Sequence, residues 1–160
     1  MTLSQSLEQF EALAHEWWEA NKNNDDAPDI TLDKENDLYA IAYGFYQDQE
    51  YQKSIDSFRL LTALKPFEQK YWKGLGASLQ MNEDYEQAIE SYFCAQILSK
   101  SKADPYLYVY ASDCYFTLGQ IQDGLKALEG AKLSASEQKN AQVLKHVAIM
   151  RERWSNKNIK

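Results

Sequence analysis

The sequence predicts an all-α protein built of stacked helical hairpins, on three observations. Apolar residues recur at helical spacing through most of the chain, the residues ahead of Gly74 and Gly76 do not read as a strand, and one segment repeats. That segment is "WKGLGASLQMNEDYEQAIESYFCA", residues 72–95. Set 34 residues upstream, Leu38, Ile41, Ala42, Phe45, Tyr51, Ser54, Phe58 and Leu61 fall under Trp72, Leu75, Gly76, Leu79, Tyr85, Ala88, Tyr92 and Ala95. Set 36 residues downstream, the series is Tyr108, Ala111, Ser112, Tyr115, Ile121, Gly124, Leu128 and Ala131. Each copy holds large apolar and small residues in helical register, with a short polar turn between two helices. Such a period marks a solenoid, whose units bury one face against the next.

The pattern is the tetratricopeptide one, W-x2-L-G-x2-Y followed by A-x3-F-x2-A, and the middle copy fits nearly every slot. The expected fold is therefore three tetratricopeptide repeats in a short right-handed α-solenoid, with an N-terminal helix and a C-terminal capping helix. In residues 1–30, a helix from Ser4 to Lys22 precedes a polar linker, "NKNNDDAPD". The repeats occupy 31–134. The first, Thr31 to Phe67, divides at "QDQE" and ends at Pro66; the second, Glu68 to Lys102, divides at "NED". The third opens on Asp104-Pro105, a cap followed by a proline suited to a first turn, and turns at Gly119. Residues 135–160 form the cap: a helix starting at the capping box Ser134-x-x-Glu137 and running to about Trp154, with Val143, Val147, Met150 and Trp154 as its apolar stripe.

Gly74 and Gly76 admit a second reading, since a GxG opens many phosphate-cradling loops. That motif follows a buried strand and carries a third glycine; here "LKPFEQKY" precedes it and Leu79 fills the third slot. Gly76 is instead expected inside a helix, where a side chain would hold the paired helix away. Ala42 and Ser112 fill the same slot.

Composition narrows the function. A 160-residue chain with 44% apolar residues has the size of one domain with a sizeable core, and a net charge of −7 argues against nucleic acid or an anionic membrane as partner. The start of the chain lacks the basic and apolar regions of a secretion signal. No uncharged apolar run approaches the ~20 residues that cross a bilayer, so a soluble, cytoplasmic protein is expected. Cys94 and Cys114 lack disulfide-scaffold or ligand spacing and sit among apolar residues, which favours packing over nucleophilic chemistry. His15 and His146 fall on different helices, and the acidic pairs Asp25-Asp26 and Glu83-Asp84 fall in turns. No metal, cofactor or catalytic constellation is expected, and the chain reads as a binding protein rather than an enzyme.

The binding face is a second stripe. Beside the core face of repeat one (Leu38, Ile41, Ala42, Phe45) run Tyr39, Tyr43 and Tyr46 at i, i+4 and i+7. The repeat register points them into the concave groove. The same slots hold Lys73, Ala77 and Gln80 in repeat two, and Val109, Asp113 and Phe116 in repeat three, flanked by Tyr106 and Tyr110. An exposed aromatic stripe costs solubility unless something binds it, and tyrosine offers a rigid apolar body with a polar tip. An extended or short helical apolar peptide is the expected ligand. In the N-terminal helix, Leu3, Leu7, Phe10, Ala14 and Trp17 line one face, widened by Leu13 and Trp18. This face either folds back on repeat one or meets a second copy; Leu7, Phe10, Leu13, Trp17 and Trp18 are the expected contacts of a weak homodimer.

The segments "LYAIAYGFYQDQEYQKSIDSF", "KYWKGLGASLQMNEDYEQAIESYFCAQIL" and "DPYLYVYASDCYFTLGQ" together resemble the tetratricopeptide chaperones of type III secretion translocators, the class II secretion chaperones. That family has an L-Y-x-x-A-x-x-x-Y segment, a G-L-G-A-x-x-Q segment, A-I-x-x-Y and a later A-x-x-C. The likeness spans about Leu32 to Leu133. It implies a protein that keeps two hydrophobic pore-forming translocators soluble in the bacterial cytoplasm before export. A short Pro-x-Leu-x-x-Pro-like client segment would lie in the groove, against Tyr39, Tyr43 and Tyr46 by motif. The resemblance also points to dimers through the N-terminal region. Ser54 and Gly124 depart from the alanine slots, and repeats two and three lack the closing proline. The alternative is a general tetratricopeptide interaction scaffold unrelated to secretion.

Overall fold

The computed structural model describes residues 32–99 and 103–157. These form seven helices and no strand: α1 (Leu32–Gln47), α2 (Tyr51–Leu64), α3 (Gln69–Met81), α4 (Tyr85–Ile97), α5 (Pro105–Thr117), α6 (Ile121–Glu137) and α7 (Ala141–Lys157). Two compact units divide within α1, Met1–Leu38 and Tyr39–Lys160, and the packing between hairpins belongs to the second. The N-terminal positions Leu7, Phe10, Leu13, Trp17 and Trp18, with His15, lie outside the described residues.

The pairs α1–α2, α3–α4 and α5–α6 are the three hairpins, and each turns in the same way. After α1, Gln49 takes a left-handed φ of 62°, its N–H donates to the Tyr46 carbonyl, and the Glu50 N–H donates to Phe45 at 2.9 Å. Glu83 (φ 66°) and Gly119 (φ 74°) repeat the arrangement, as does Lys139 (φ 53°) between α6 and α7. These paired bonds satisfy carbonyls that a helix end leaves open. Three of the four positions carry a side chain, at a conformational cost of about 1–2 kcal/mol each.

The small-residue slot is the packing contact the sequence suggested. Ala42, Gly76 and Ser112 are buried. A Cβ on Gly76 would lie 2.7 Å from the Tyr92 ring, and one on Gly74 would lie 2.3 Å from the Phe58 ring, so both glycines admit an aromatic face. Gly124 does the same for Phe116, at 2.3 Å, which accounts for its departure from alanine. Ser54 departs for another reason. Its buried hydroxyl meets the Ala42 carbonyl at 2.9 Å and the Ser78 hydroxyl at 2.8 Å, joining hairpins one and two.

Two expectations about helix ends and core fail in the structure. Ser134 and Glu137 do not open the last helix; they lie in the final turn of α6. The Ser134 hydroxyl and the Gln138 amide both donate to the Ala103 carbonyl ahead of α5, which extends α6 by a turn. The helix after it is capped by Asn140, whose Oδ1 accepts the Val143 N–H at 3.1 Å. Ile41, expected in the core, is 52% exposed. Its counterparts Leu75 and Ala111 are buried because a preceding hairpin covers them, and none precedes α1 among the described residues. The remaining cap features hold: Asp104 accepts the Tyr106 N–H with Pro105 in the first turn, and Val143, Val147 and Met150 of α7 are buried against the third hairpin.

Candidate functional site

The inner face is made by α1, α3 and α5, and its first wall is a row of stacked phenols. Tyr39 and Tyr43 have ring centroids 6.4 Å apart with planes 11° from parallel; Tyr43 and Tyr46 come next at 6.3 Å and 19°. Helical spacing sets this row, since i, i+4 and i+7 lie on one face. Burial is graded along it. The Tyr39 ring is wedged edge-on against Phe58 at 6.0 Å and tilted against Tyr71 at 5.8 Å, Tyr43 is 47% exposed, and Tyr46 meets Tyr51 edge-on at 6.0 Å.

The second wall comes from the third hairpin. Tyr106 stacks on Tyr110 at 6.0 Å, and Tyr110 tilts onto Tyr92 at 5.6 Å. The two walls lie within electrostatic reach of one another. Burial pushes the Tyr46 phenol above its ordinary pKa, and so do the neighbouring phenols of Tyr51, Tyr110 and Tyr43. Tyr46 and Tyr110 come from the first and third hairpins, so phenols of both hairpins act on the same face. Tyr92 lies beneath both. Its hydroxyl donates to Gln80 Oε1 at 2.7 Å, and burial, then Cys114, Tyr46, Tyr110 and Asp113, raise its pKa.

The middle of the face is small and polar. Ala77 is half-buried, Gln80 is engaged by Tyr92, and Lys73 Nζ pairs with Asp104 Oδ2 at 2.7 Å. Asp113 is half-buried; burial pushes its carboxyl above the usual range, and His146 on α7 works in the opposite direction. Val109 and Phe116, expected in the groove, are core residues at 3% and 4% exposure. Both side chains turn into the seam with the next helix. In the last hairpin that helix is α7, which covers Val109 and stacks Trp154 on Phe116 at 4.5 Å and 8°.

Three contributors to this face were not singled out as groove residues from sequence. Tyr92 occupies the aromatic slot of the repeat pattern, which reads as core; it is buried, and its hydroxyl holds Gln80 of the face from beneath. Lys70 stands over the Tyr39 and Tyr71 rings at 5.3 and 4.9 Å, and His146 faces Asp113 from α7; neither belongs to the repeat pattern. Cys94 and Cys114 are buried, and burial, together with Glu90 and Asp113 respectively, pushes each thiol up to about 12, leaving it neutral. Among the described residues no group of three His, Cys, Asp or Glu side chains is placed to hold a metal ion. No helix there is long and apolar enough to cross a membrane.

The tetratricopeptide-repeat family profile matches residues 35–66 and 70–100. Over 100 residues the chain is 27% identical to the low calcium response locus protein H of Yersinia pestis; the match takes in 62% of this chain and 58% of that protein's length. A chain of the CopN–Scc3 complex is 33% identical with a TM-score of 0.71, over 76% of this chain and 71% of that one. The Yersinia enterocolitica type III secretion chaperone SycD, in complex with a peptide of the translocator YopD, is 25% identical. Its TM-score is 0.72, over 81% of this chain and 98% of that one.

Proposed function

Because the chain belongs to the class II chaperones of type III secretion, we propose that it binds hydrophobic pore-forming translocators and keeps them soluble before export. A short client segment lies along the inner face. The observation that carries this reading is the pair of tyrosine walls. Tyr39, Tyr43, Tyr46, Tyr106 and Tyr110 are held by stacking from the side, and the row keeps one face open at Tyr43. Rings fixed in this way lose little side-chain entropy on binding, which favours affinity from a modest contact area. A Pro-x-Leu-x-x-Pro-like segment suits such a face, its apolar side chains meeting rings and its backbone meeting phenol tips. Lys73, Ala77 and Gln80 give the segment a shallow polar middle. The role is non-catalytic and exercised in the bacterial cytoplasm.

Co-expression with the hydrophobic translocators of the same secretion system tests this. The translocators should move from the pellet to the soluble fraction and co-purify with the chaperone. Translocators that stay insoluble beside abundant folded chaperone would defeat the proposal.

Self-association is a second part of the same proposal. The apolar face of Leu7, Phe10, Leu13, Trp17 and Trp18 meets a second copy weakly, and client binding competes with it. Sedimentation of the full chain should show concentration-dependent mass that a chain beginning near Pro28 lacks. Equal monomer masses across the micromolar range would remove the dimer.

A further inference from the structure

The inner face carries its charges unevenly. At the Tyr39 end the Lys70 ammonium stands over the Tyr39 ring, 5.3 Å from its centre. In the middle, Lys73 is neutralised by Asp104 at 2.7 Å. At the other end stands Asp113 on α5, half-buried, with no lysine or arginine in ion-pair contact among the described residues. Its surroundings do little to settle its charge. The Tyr92 hydroxyl directs its proton to Gln80, the Cys114 thiol is neutral, and the opposing group, His146, is an exposed histidine. A carboxylate partly removed from water without a full counter-charge gains when a cationic or donor group reaches it.

We propose that Asp113 sets the specificity and direction of the groove, receiving a lysine or arginine of the bound segment beside the apolar anchor seated between Tyr46 and Tyr110. The inference rests on the groove reading proposed for the tyrosine walls. Lys70 repels the same cation at the Tyr39 end, so the segment is accepted in one direction. The chain's net charge of −7 adds a long-range pull on a basic segment. The client class is thereby narrowed to apolar segments with a basic residue on one flank.

The test uses the full chain, its Asp113→Asn variant, and short synthetic peptides with a Pro-x-Leu-x-x-Pro core flanked on one side or the other by Lys, Gln or Glu. Binding is read by calorimetry. Lys on one flank should bind roughly tenfold tighter than Gln there, and Lys on the other flank should bring no gain. Asp113→Asn should erase the tenfold preference, bringing the Lys peptides to the level of the Gln peptides. Circular dichroism checks its fold, with Asp113→Ser as the replacement should Asn fail to fold. A Lys preference that survives in the variant, or is absent from the native chain, overturns the assignment of Asp113 alone. Peptides that all fail to bind, or bind equally well when Tyr43 and Tyr46 are alanine, overturn the groove reading and this inference with it.

Discussion

Tyr92→Ala should destabilise the folded chain by about 3–5 kcal/mol, within the range for deleting a buried ring. Tyr92 is 1% exposed, fills the space left by Gly76, packs on Tyr110 and binds Gln80 through its hydroxyl. For a domain of this size the loss lowers Tm by roughly 10 °C, read by thermal melting with a urea titration beside it. The companion change, Gly76→Ala, separates ring contact from helix propensity. Alanine gains roughly 0.5–1 kcal/mol over glycine within a helix. In the native chain, however, its Cβ meets the Tyr92 ring at 2.7 Å, and the immobile ring makes the change destabilising. With Tyr92 already alanine, Gly76→Ala should become neutral or stabilising. Equal effects in both backgrounds would show that the glycine answers to something other than this ring.

Replacing Tyr43 and Tyr46 together by alanine should weaken client binding about a thousandfold, at roughly 2 kcal/mol for each anchor. Helix content and melting should stay close to native. The structure recommends this pair over one that includes Tyr39, which packs on Phe58 and Tyr71 and whose removal would mix folding with binding. Tyr43 is 47% exposed and contributes little to the core. Affinity is measured on the co-purified translocator or on a Pro-x-Leu-x-x-Pro peptide. A large loss of helicity would return these tyrosines to the core, and an unchanged affinity would move the client elsewhere.

The hairpins, their turns and the small slot at Ala42, Gly76 and Ser112 were legible because repetition constrains them three times over: a helix pair that packs on its neighbour must do so at every copy. The Tyr39–Tyr43–Tyr46 row was legible for a different reason, since helical spacing alone places it on one face. Legibility failed where a position depends on the helix that closes the solenoid. Val109 and Phe116 hold groove slots by register, but the seam they face is filled by α7, a helix outside the pattern. Ser134-x-x-Glu137 has the spacing of a capping box and yet lies inside α6, because the Ala103 carbonyl, 31 residues away, attracts the serine hydroxyl. Lys70 and His146 act on the groove through distance alone, and single-sequence spacing carries no sign of either.

The stack of Trp154 on Phe116 also gives the molecule an optical marker at one end. Of four tryptophans, two precede Pro28, so a chain beginning near there keeps Trp72 and Trp154 as its indoles. Trp72 donates its ring N–H to the Pro66 carbonyl between the first two hairpins, at 2.7 Å. Trp154 lies flat on Phe116, with the Lys157 ammonium 4.2 Å above its ring. One indole is hydrogen-bonded near the start of the solenoid; the other is sandwiched between a ring and a cation at its close. Their emission therefore reports on separate ends of the same fold, and the release of α7 would change the colour of one while the other stayed as it was.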